Sequence, residues 1–174
     1  MIAKTHPELS VREAVLFVAF ELSRREWKLA LTSGFGVRPW LRTIAAGDLA
    51  GVARVIAQGR RRFGLDGAAP VVSCYEAGRD GFWIHRALVA LGLANRVVDS
   101  SSIEVNRRAR RAKTDRIDAV KLVQMLVRAW CGERTVWSEV RVPTVAAEAA
   151  RQVGRERTAL TREHTRLLNQ MRGW

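Results

Sequence analysis

Two short apolar runs limit the folds that are open to this chain. Residues 15–20 form a run of strand type, and residues 71–75 form a continuous apolar run typical of a buried strand. Each run is followed directly by a glutamate, Glu21 after the first and Glu76 after the second. The sequence therefore predicts a sheet in which two apolar strands both end in an acidic residue.

The segments around these runs alternate between strand and helix patterns. Further strands are predicted over residues 27–32, 40–44 and 96–98, and helices over 49–62, 81–91 and 115–130. Asp48 is the predicted N-cap of the first helix, and Leu91 is predicted to face inward from the second. Three antiparallel strands followed by parallel ones resemble the ribonuclease-H-like (RuvC-like) order. The predicted fold class is α/β, a mixed five-stranded sheet flanked by helices, with the first strand central and the fourth beside it.

A long C-terminal helix is predicted after a break near Val142 and Pro143, which divides the chain into residues 1–142 and 143–174. Apolar side chains recur in this helix every seven residues, at Ala146, Val153, Leu160 and Leu167. The pattern fits a coiled-coil helix through which the chain forms a homo-oligomer, and it also fits an amphipathic helix packed on the body. Because the helical pattern still runs at Trp174, we expect the chain to be a fragment of a longer protein.

The charge of the chain predicts a polyanionic partner. It carries 30 Lys and Arg against 17 Asp and Glu, a formal net charge of +13. No apolar run is long enough to span a membrane, and the N-terminus lacks the apolar core of a signal peptide. Cys74 and Cys131 lie far apart in apolar surroundings, which favours buried thiols in a reducing compartment. These features indicate a cytoplasmic protein that binds nucleic acid and does not enter a membrane.

Four carboxylates are candidate metal ligands. Ligands of open α/β sheets collect at the carboxyl ends of the strands, where Glu21 and Glu76 are predicted to lie. Asp115 and Asp118 are three residues apart and so share one face of the predicted helix. If that helix crosses the same end of the sheet, the four residues converge on one or two Mg²⁺ (or Mn²⁺) ions. The alternative is structural, because acids favour the first turn of a helix and often end strands.

A basic segment precedes and overlaps the start of that helix. Six residues in it are candidate nucleic-acid contacts: Arg107, Arg108, Arg110, Arg111, Lys113 and Arg116. A solvated loop is the alternative. The six tryptophans are interpreted mostly as core, with stacking on nucleobases as the alternative for Trp40 and Trp83. Ser100, Ser101 and Ser102 are interpreted as a loop or as phosphate contacts.

Two motifs resemble a known family. The sequence Tyr75-Glu76-Ala77-Gly78 after an apolar strand, followed by Lys-Thr-Asp-Arg-Ile-Asp-Ala at residues 113–119, is similar to the N-terminal RuvC-like domain of insertion sequence 110 family transposases. The resemblance implies an acidic tetrad, named DEDD, whose last three members are Glu76, Asp115 and Asp118. The matching first position holds Glu21, where the family usually has Asp.

The same resemblance implies a function. The expected protein is a metal-dependent DNA transposase or recombinase that binds DNA and a guide RNA and uses Mg²⁺ for strand cleavage and transfer. Members of the family also carry a C-terminal domain with a nucleophilic serine, which has no match here. Two alternatives stay open at this point, a stand-alone structure-selective nuclease and a truncated, non-catalytic nucleic-acid-binding derivative.

Overall fold

The structure, a computed structural model, describes residues 14–78, 82–103 and 115–173. These residues fall into two compact units, which meet in sequence between Val140 and Arg141. The functional boundary expected between residues 142 and 143 stays a prediction.

The first unit is built on one five-stranded sheet. Its strands are β1 (Leu16–Leu22), β2 (Glu26–Thr32), β3 (Trp40–Ala45), β4 (Val71–Glu76) and β5 (Ala94–Val98). Their spatial order is β3-β2-β1-β4-β5, with β1, β2 and β3 antiparallel and β1, β4 and β5 parallel. This order confirms a mixed sheet with the first strand central and the fourth beside it.

The described residues include four α-helices, three in the first unit and one in the second. They are α1 (Leu49–Arg62), α2 (Trp83–Ala90), α3 (Asp115–Trp130) and α4 (Val145–Arg172). Asp48 caps α1 as predicted, because its carboxylate accepts a hydrogen bond from the Gly51 N–H at 2.7 Å. The prediction for Leu91 was wrong, since α2 ends at Ala90 and Leu91 is 42% exposed. Leu91 is the C-cap residue of α2, and a turn at Gly92, whose φ is +82°, follows it.

Side chains alternate between the two faces of the sheet, and each face is covered by different helices. Phe17 and Ala19 of β1 belong to a buried cluster with Leu122 and Leu126 of α3, so α3 packs on this face. The α1 helix packs on the opposite face and comes very close to it at Gly59. A Cβ atom there would lie 2.9 Å from a methyl carbon of Leu31, so only glycine fits without a shift.

The second helix lies on the same face as α1. Its residues Ile84 and Leu88 are buried. The His85 ring nitrogen Nδ1 is 2.9 Å from the Asn95 amide, whose oxygen accepts from the Ser73 hydroxyl at 2.8 Å. Burial is the main cause, and Arg86 a further one, of a lowered pKa for His85. This chain of polar contacts ties α2 to β4 and β5.

A short segment after α3 pairs with the outer edge of β5. The Val140 N–H donates to the Val97 carbonyl at 2.8 Å, and the Asp99 N–H donates to the Ser138 carbonyl at 2.9 Å. An ion pair between Arg96 and Glu139, 2.9 Å long, supports the pairing. The edge of the sheet on this side is therefore covered by the chain itself.

The three consecutive serines have structural partners. They form a short 3-10 helix, Ser100–Ser102. The Ser100 hydroxyl donates to the Ala77 carbonyl at 2.9 Å, and the Ser102 hydroxyl accepts from the Ser138 N–H at 2.8 Å. These bonds join the end of β4 and the segment after α3 to the end of β5.

Within the described ranges, none of the helices has a stretch apolar and long enough to cross a lipid bilayer. The longest of them, α4, carries charged residues along its whole length.

The two cysteines differ in their surroundings, so the expectation of two buried thiols was half wrong. Cys74 of β4 is fully buried, whereas Cys131 is exposed. Cys131 directly follows the last residue of α3, where Gly132 turns the chain with a φ of +99°. Burial raises the pKa of the Cys74 thiol far above its usual range; Arg96 opposes this increase, and Glu139 and Glu76 add to it.

We therefore expect one thiol that reacts rapidly with a thiol reagent and one that is protected from it. Ellman's reagent should label a single cysteine in the folded protein, and the second should react only after unfolding in guanidinium chloride. The Cys131→Ser variant should lose the fast reaction and keep the protected one. Equal labelling rates of both thiols under native conditions would contradict the buried position of Cys74.

Candidate metal and nucleic-acid site

Glu21 and Glu76 lie on neighbouring strands at the carboxyl-terminal edge of the parallel pair. The register of β1 and β4 pairs Ala19 with Cys74 and Phe20 with Tyr75. The next residue on β1 is Glu21 and the next on β4 is Glu76, and both are half-buried. Because paired strands are about 4.8 Å apart, the two glutamates are close neighbours across the strand pair.

Both glutamates share the face of the sheet that α3 covers. Alternation places Glu21 on the same side as Ala19, and Glu76 on the same side as Cys74. Ala19 and Cys74 both belong to the buried cluster under α3. The contribution of Glu76 to the raised pKa of Cys74 agrees with this placement.

The α3 helix runs toward this edge when it is followed from its last residue to its first. At its C-terminal end, the ring of Trp130 packs edge-on against Phe17, with centroids 6.1 Å apart. Two turns earlier, the Leu122 carbonyl oxygen is 4.0 Å from the Cys74 sulfur. Phe17 lies near the start of β1, and Cys74 lies near the end of β4. The α3 helix therefore runs antiparallel to these two strands.

The first turn of α3 therefore extends beyond the buried cluster toward the glutamates. Position 118 precedes Leu122 by about 6 Å along the helix axis, at 1.5 Å per residue. On β4, Glu76 follows Cys74 by about 6.6 Å. The backbone at Asp118 and the end of β4 are thus at a similar level, and α3 begins with Asp115 one turn farther on. The side chains of Asp115 and Asp118 lie outside the described part of the structure.

The basic segment predicted to bind phosphate also lies outside the described residues. This applies to Arg107, Arg108, Arg110, Arg111 and Lys113, and to the side chain of Arg116. Among the side chains that the structure does describe, no group of three or more His, Cys, Asp or Glu residues is arranged to hold a metal ion. The described part of the candidate site consists of the two glutamates.

Lys28 is a further charged residue at this edge that was not identified from the sequence. Lys28 of β2 pairs in register with Glu21, and its amino group is 3.5 Å from the Glu26 carboxylate. Alternation on β2 places Lys28 on the face of Ala30, which is the α3 face. The position of Lys28 beside Glu21 follows from the pairing of β1 with β2, and no local sequence motif predicts it.

The turn between β1 and β2 adds positive charge at the same end of the sheet. Arg24 and Arg25 are exposed there. The Ser23 hydroxyl fixes the turn, since it donates to the Glu26 carbonyl at 2.6 Å and accepts from the Glu26 N–H at 3.1 Å. The only sequence signal for this feature is the dipeptide Arg-Arg shortly after Glu21.

Comparison with known proteins gives one informative relative. The chain matches no protein-family profile. Over 161 residues it is 42% identical to a protein of Sinorhizobium fredii that is named "Putative transposase y4rJ". The match covers 91% of this chain and 41% of the relative, so the chain spans less than half of that protein's length.

Proposed function

We propose that this chain is the RuvC-like catalytic domain of a DNA transposase or recombinase. The observation that carries the proposal is the pairing of β1 with β4, which sets Glu21 beside Glu76 on the face toward which the first turn of α3 extends. The similarity to a protein named as a transposase supports the same class of function. The strand order and the helix on each face are those expected of a ribonuclease-H-like fold.

The proposed site holds Mg²⁺ or Mn²⁺ through Glu21, Glu76, Asp115 and Asp118. The donors fit such an ion, because hard divalent cations take oxygen ligands and two neighbouring carboxylates repel each other without a cation. The chemistry that a pair of these ions supplies to nucleic-acid enzymes is activation of the attacking oxygen and stabilisation of the leaving one. The contribution of this chain is to fix the carboxylates on a strand pair and a helix start that are held by a common core.

DNA is the proposed substrate, and a guide RNA the proposed second nucleic acid. The net charge of +13 supports a polyanionic partner, and the exposed pair Arg24 and Arg25 lies at the proposed catalytic edge. The guide RNA follows from the resemblance to insertion sequence 110 transposases. The basic segment at residues 107–116 is proposed to contact phosphates beside the metal site.

A second copy of the chain is the proposed partner of α4. Its heptad residues are exposed, with Val153 at 66%, Leu160 at 71% and Leu167 at 47%. Exposed apolar residues in a continuous stripe are a common mark of an interaction surface. Pairing of two α4 helices would bury this stripe in a coiled coil.

A non-catalytic DNA-binding role is the rival function, and Glu21 is the residue that favours it. Its side chain is longer by one methylene than the Asp usual at that position in the family that the sequence resembles. The half-buried position of Glu21 on a paired strand leaves its backbone little freedom to compensate.

Metal binding gives the first test. At a Mn²⁺ concentration 100 times the dissociation constant, we expect about 2.7 kcal/mol of stabilisation of the wild-type protein. The Glu76→Gln variant should lose most of the rise in melting temperature, because a neutral amide is a weaker ligand. Glu133→Gln, which changes an exposed carboxylate at the other end of α3, is the matched control. Identical Mn²⁺-induced shifts in the wild type and Glu76→Gln would exclude Glu76 as a ligand.

The length of the side chain at position 21 gives the second test. We expect Glu21→Asp to keep Mn²⁺ affinity within about threefold, a change below 1 kcal/mol, because aspartate supplies the same donor. Glu21→Gln should lose the Mn²⁺-dependent shift. Calorimetric titration measures both variants, and an excision assay of an element carrying each variant shows whether activity follows metal affinity. A titration in which all three proteins behave alike would support the non-catalytic role.

Oligomeric state tests the role of α4. Light scattering on a sizing column should give a concentration-dependent mass above that of one chain for the wild type. Leu160→Glu should shift the mass to that of a monomer, because a carboxylate in the apolar stripe must be desolvated on pairing. Thr161→Glu introduces the same charge one position off the stripe and should leave the mass unchanged. If the wild-type protein is a monomer at all concentrations, the proposed pairing of two α4 helices is wrong.

A further inference from the structure

Trp83 is anomalous among the tryptophans that the structure describes. It is 45% exposed, whereas Trp27 is buried and Trp40, Trp130 and Trp137 are half-buried. An exposed indole is a large apolar surface that is stabilised when a flat partner covers it. Packing in the core therefore does not explain why the Trp83 side chain is exposed.

The exposed ring is held in a fixed place. Its centroid is 6.0 Å from that of Trp27, at an interplanar angle of 38°. Trp27 is in turn packed edge-on against Phe20, with centroids 6.4 Å apart. The next residue on α2, Ile84, is buried, and His85 is bonded to Asn95. One side of Trp83 is thus backed by the core and the helix is anchored, so the exposed side is a rigid platform.

The platform lies at the same end of the sheet as the candidate metal ligands. Trp27 pairs with Leu22, the residue directly after Glu21. Trp27 projects to the face opposite that of Glu21, because it alternates with Lys28 on β2. Trp83 and the glutamates therefore flank one edge of the sheet from its two sides.

Positive charge accompanies the aromatic ring. The turn that carries the exposed Arg24 and Arg25 immediately precedes β2, and Trp27 is the second residue of that strand. An aromatic platform next to cationic side chains is the combination by which proteins bind single-stranded nucleic acid, with bases stacked and phosphates neutralised.

We infer that Trp83 stacks on an unpaired nucleobase of the DNA strand that reaches the carboxylates, and that Arg24 and Arg25 contact its flanking phosphates. This inference rests on the proposed function and adds a binding site to it. A base held on one side of the edge would fix the position of the neighbouring phosphodiester on the other side. Trp83 is in this sense a positioning residue.

The test compares two probes that carry the same phosphates. One is a fluorescein-labelled single-stranded thymidine 12-mer, and the other is an abasic oligomer of equal length. Binding is measured by anisotropy in EDTA, so that no divalent ion contributes. We expect Trp83→Ala to weaken binding of the thymidine oligomer about tenfold, within the range for loss of one stacked base, and to leave binding of the abasic oligomer unchanged.

Three variants make the result specific. Trp83→Phe should recover most of the affinity, because a phenyl ring also stacks. Phe35→Ala removes another exposed aromatic residue, in the β2–β3 loop at the opposite end of the sheet, and should bind as the wild type does. The Arg24→Gln, Arg25→Gln double variant should weaken both probes and reduce the slope of log affinity against log salt by about 1.4, since each phosphate contact to a single strand contributes about 0.7.

Two outcomes would overturn the inference. One is equal weakening of both probes by Trp83→Ala, and the other is no weakening of either, which would assign the exposed ring to a protein partner. Because the assay contains no metal, its failure is independent of the Mn²⁺ shift that tests the catalytic proposal. If Mn²⁺ raises the melting temperature as expected but the protein does not prefer the thymidine oligomer, only the stacking site is contradicted.

Discussion

The parallel pairing of β1 with β4 is the constraint on which the rest of the structure depends. It joins the antiparallel half of the sheet to the parallel half. Its register also decides which residues meet at the carboxyl edge. A shift of one residue would move Glu76 to the opposite face of the sheet, since side chains alternate along a strand. The buried cluster opposes such a shift, because it would move Val72 and Cys74 away from the face that α3 covers.

The same core that fixes the register also fixes α3. Trp130 against Phe17 and Leu122 against Cys74 set the direction of the helix, and the first turn follows from that direction. The backbone position of Asp115 and Asp118 is thus set by packing that involves neither residue. The proposed acidic site would combine strand and helix ends whose relative position is determined by apolar contacts.

The sequence predicted a helix or strand accurately where residues in or directly beside it mark both its start and its end. The α1 helix has its cap at Asp48 and its stop at Gly64, whose φ is +65°, and its bounds matched the prediction. The adjacency of Glu21 and Glu76 was also predictable, because it follows from strand order. By contrast, the partners of the serines and the pairing of residues 138–140 with β5 depend on residues 23 to 43 positions apart. Periodicity contains no information on such contacts, and the exposure of Cys131 was missed for the same reason.

The proposed acidic site has positive charge beside it at the carboxyl edge of the sheet. Glu21 and Glu76 on one face would repel each other strongly if both were isolated from other charge. Lys28 is the register partner of Glu21 on the same face and is also close to Glu26. Its partly exposed amino group adds positive charge on the face that carries the two carboxylates. The β1–β2 pairing therefore complements the β1–β4 pairing: one brings the carboxylates together, and the other supplies the charge that lets them remain together.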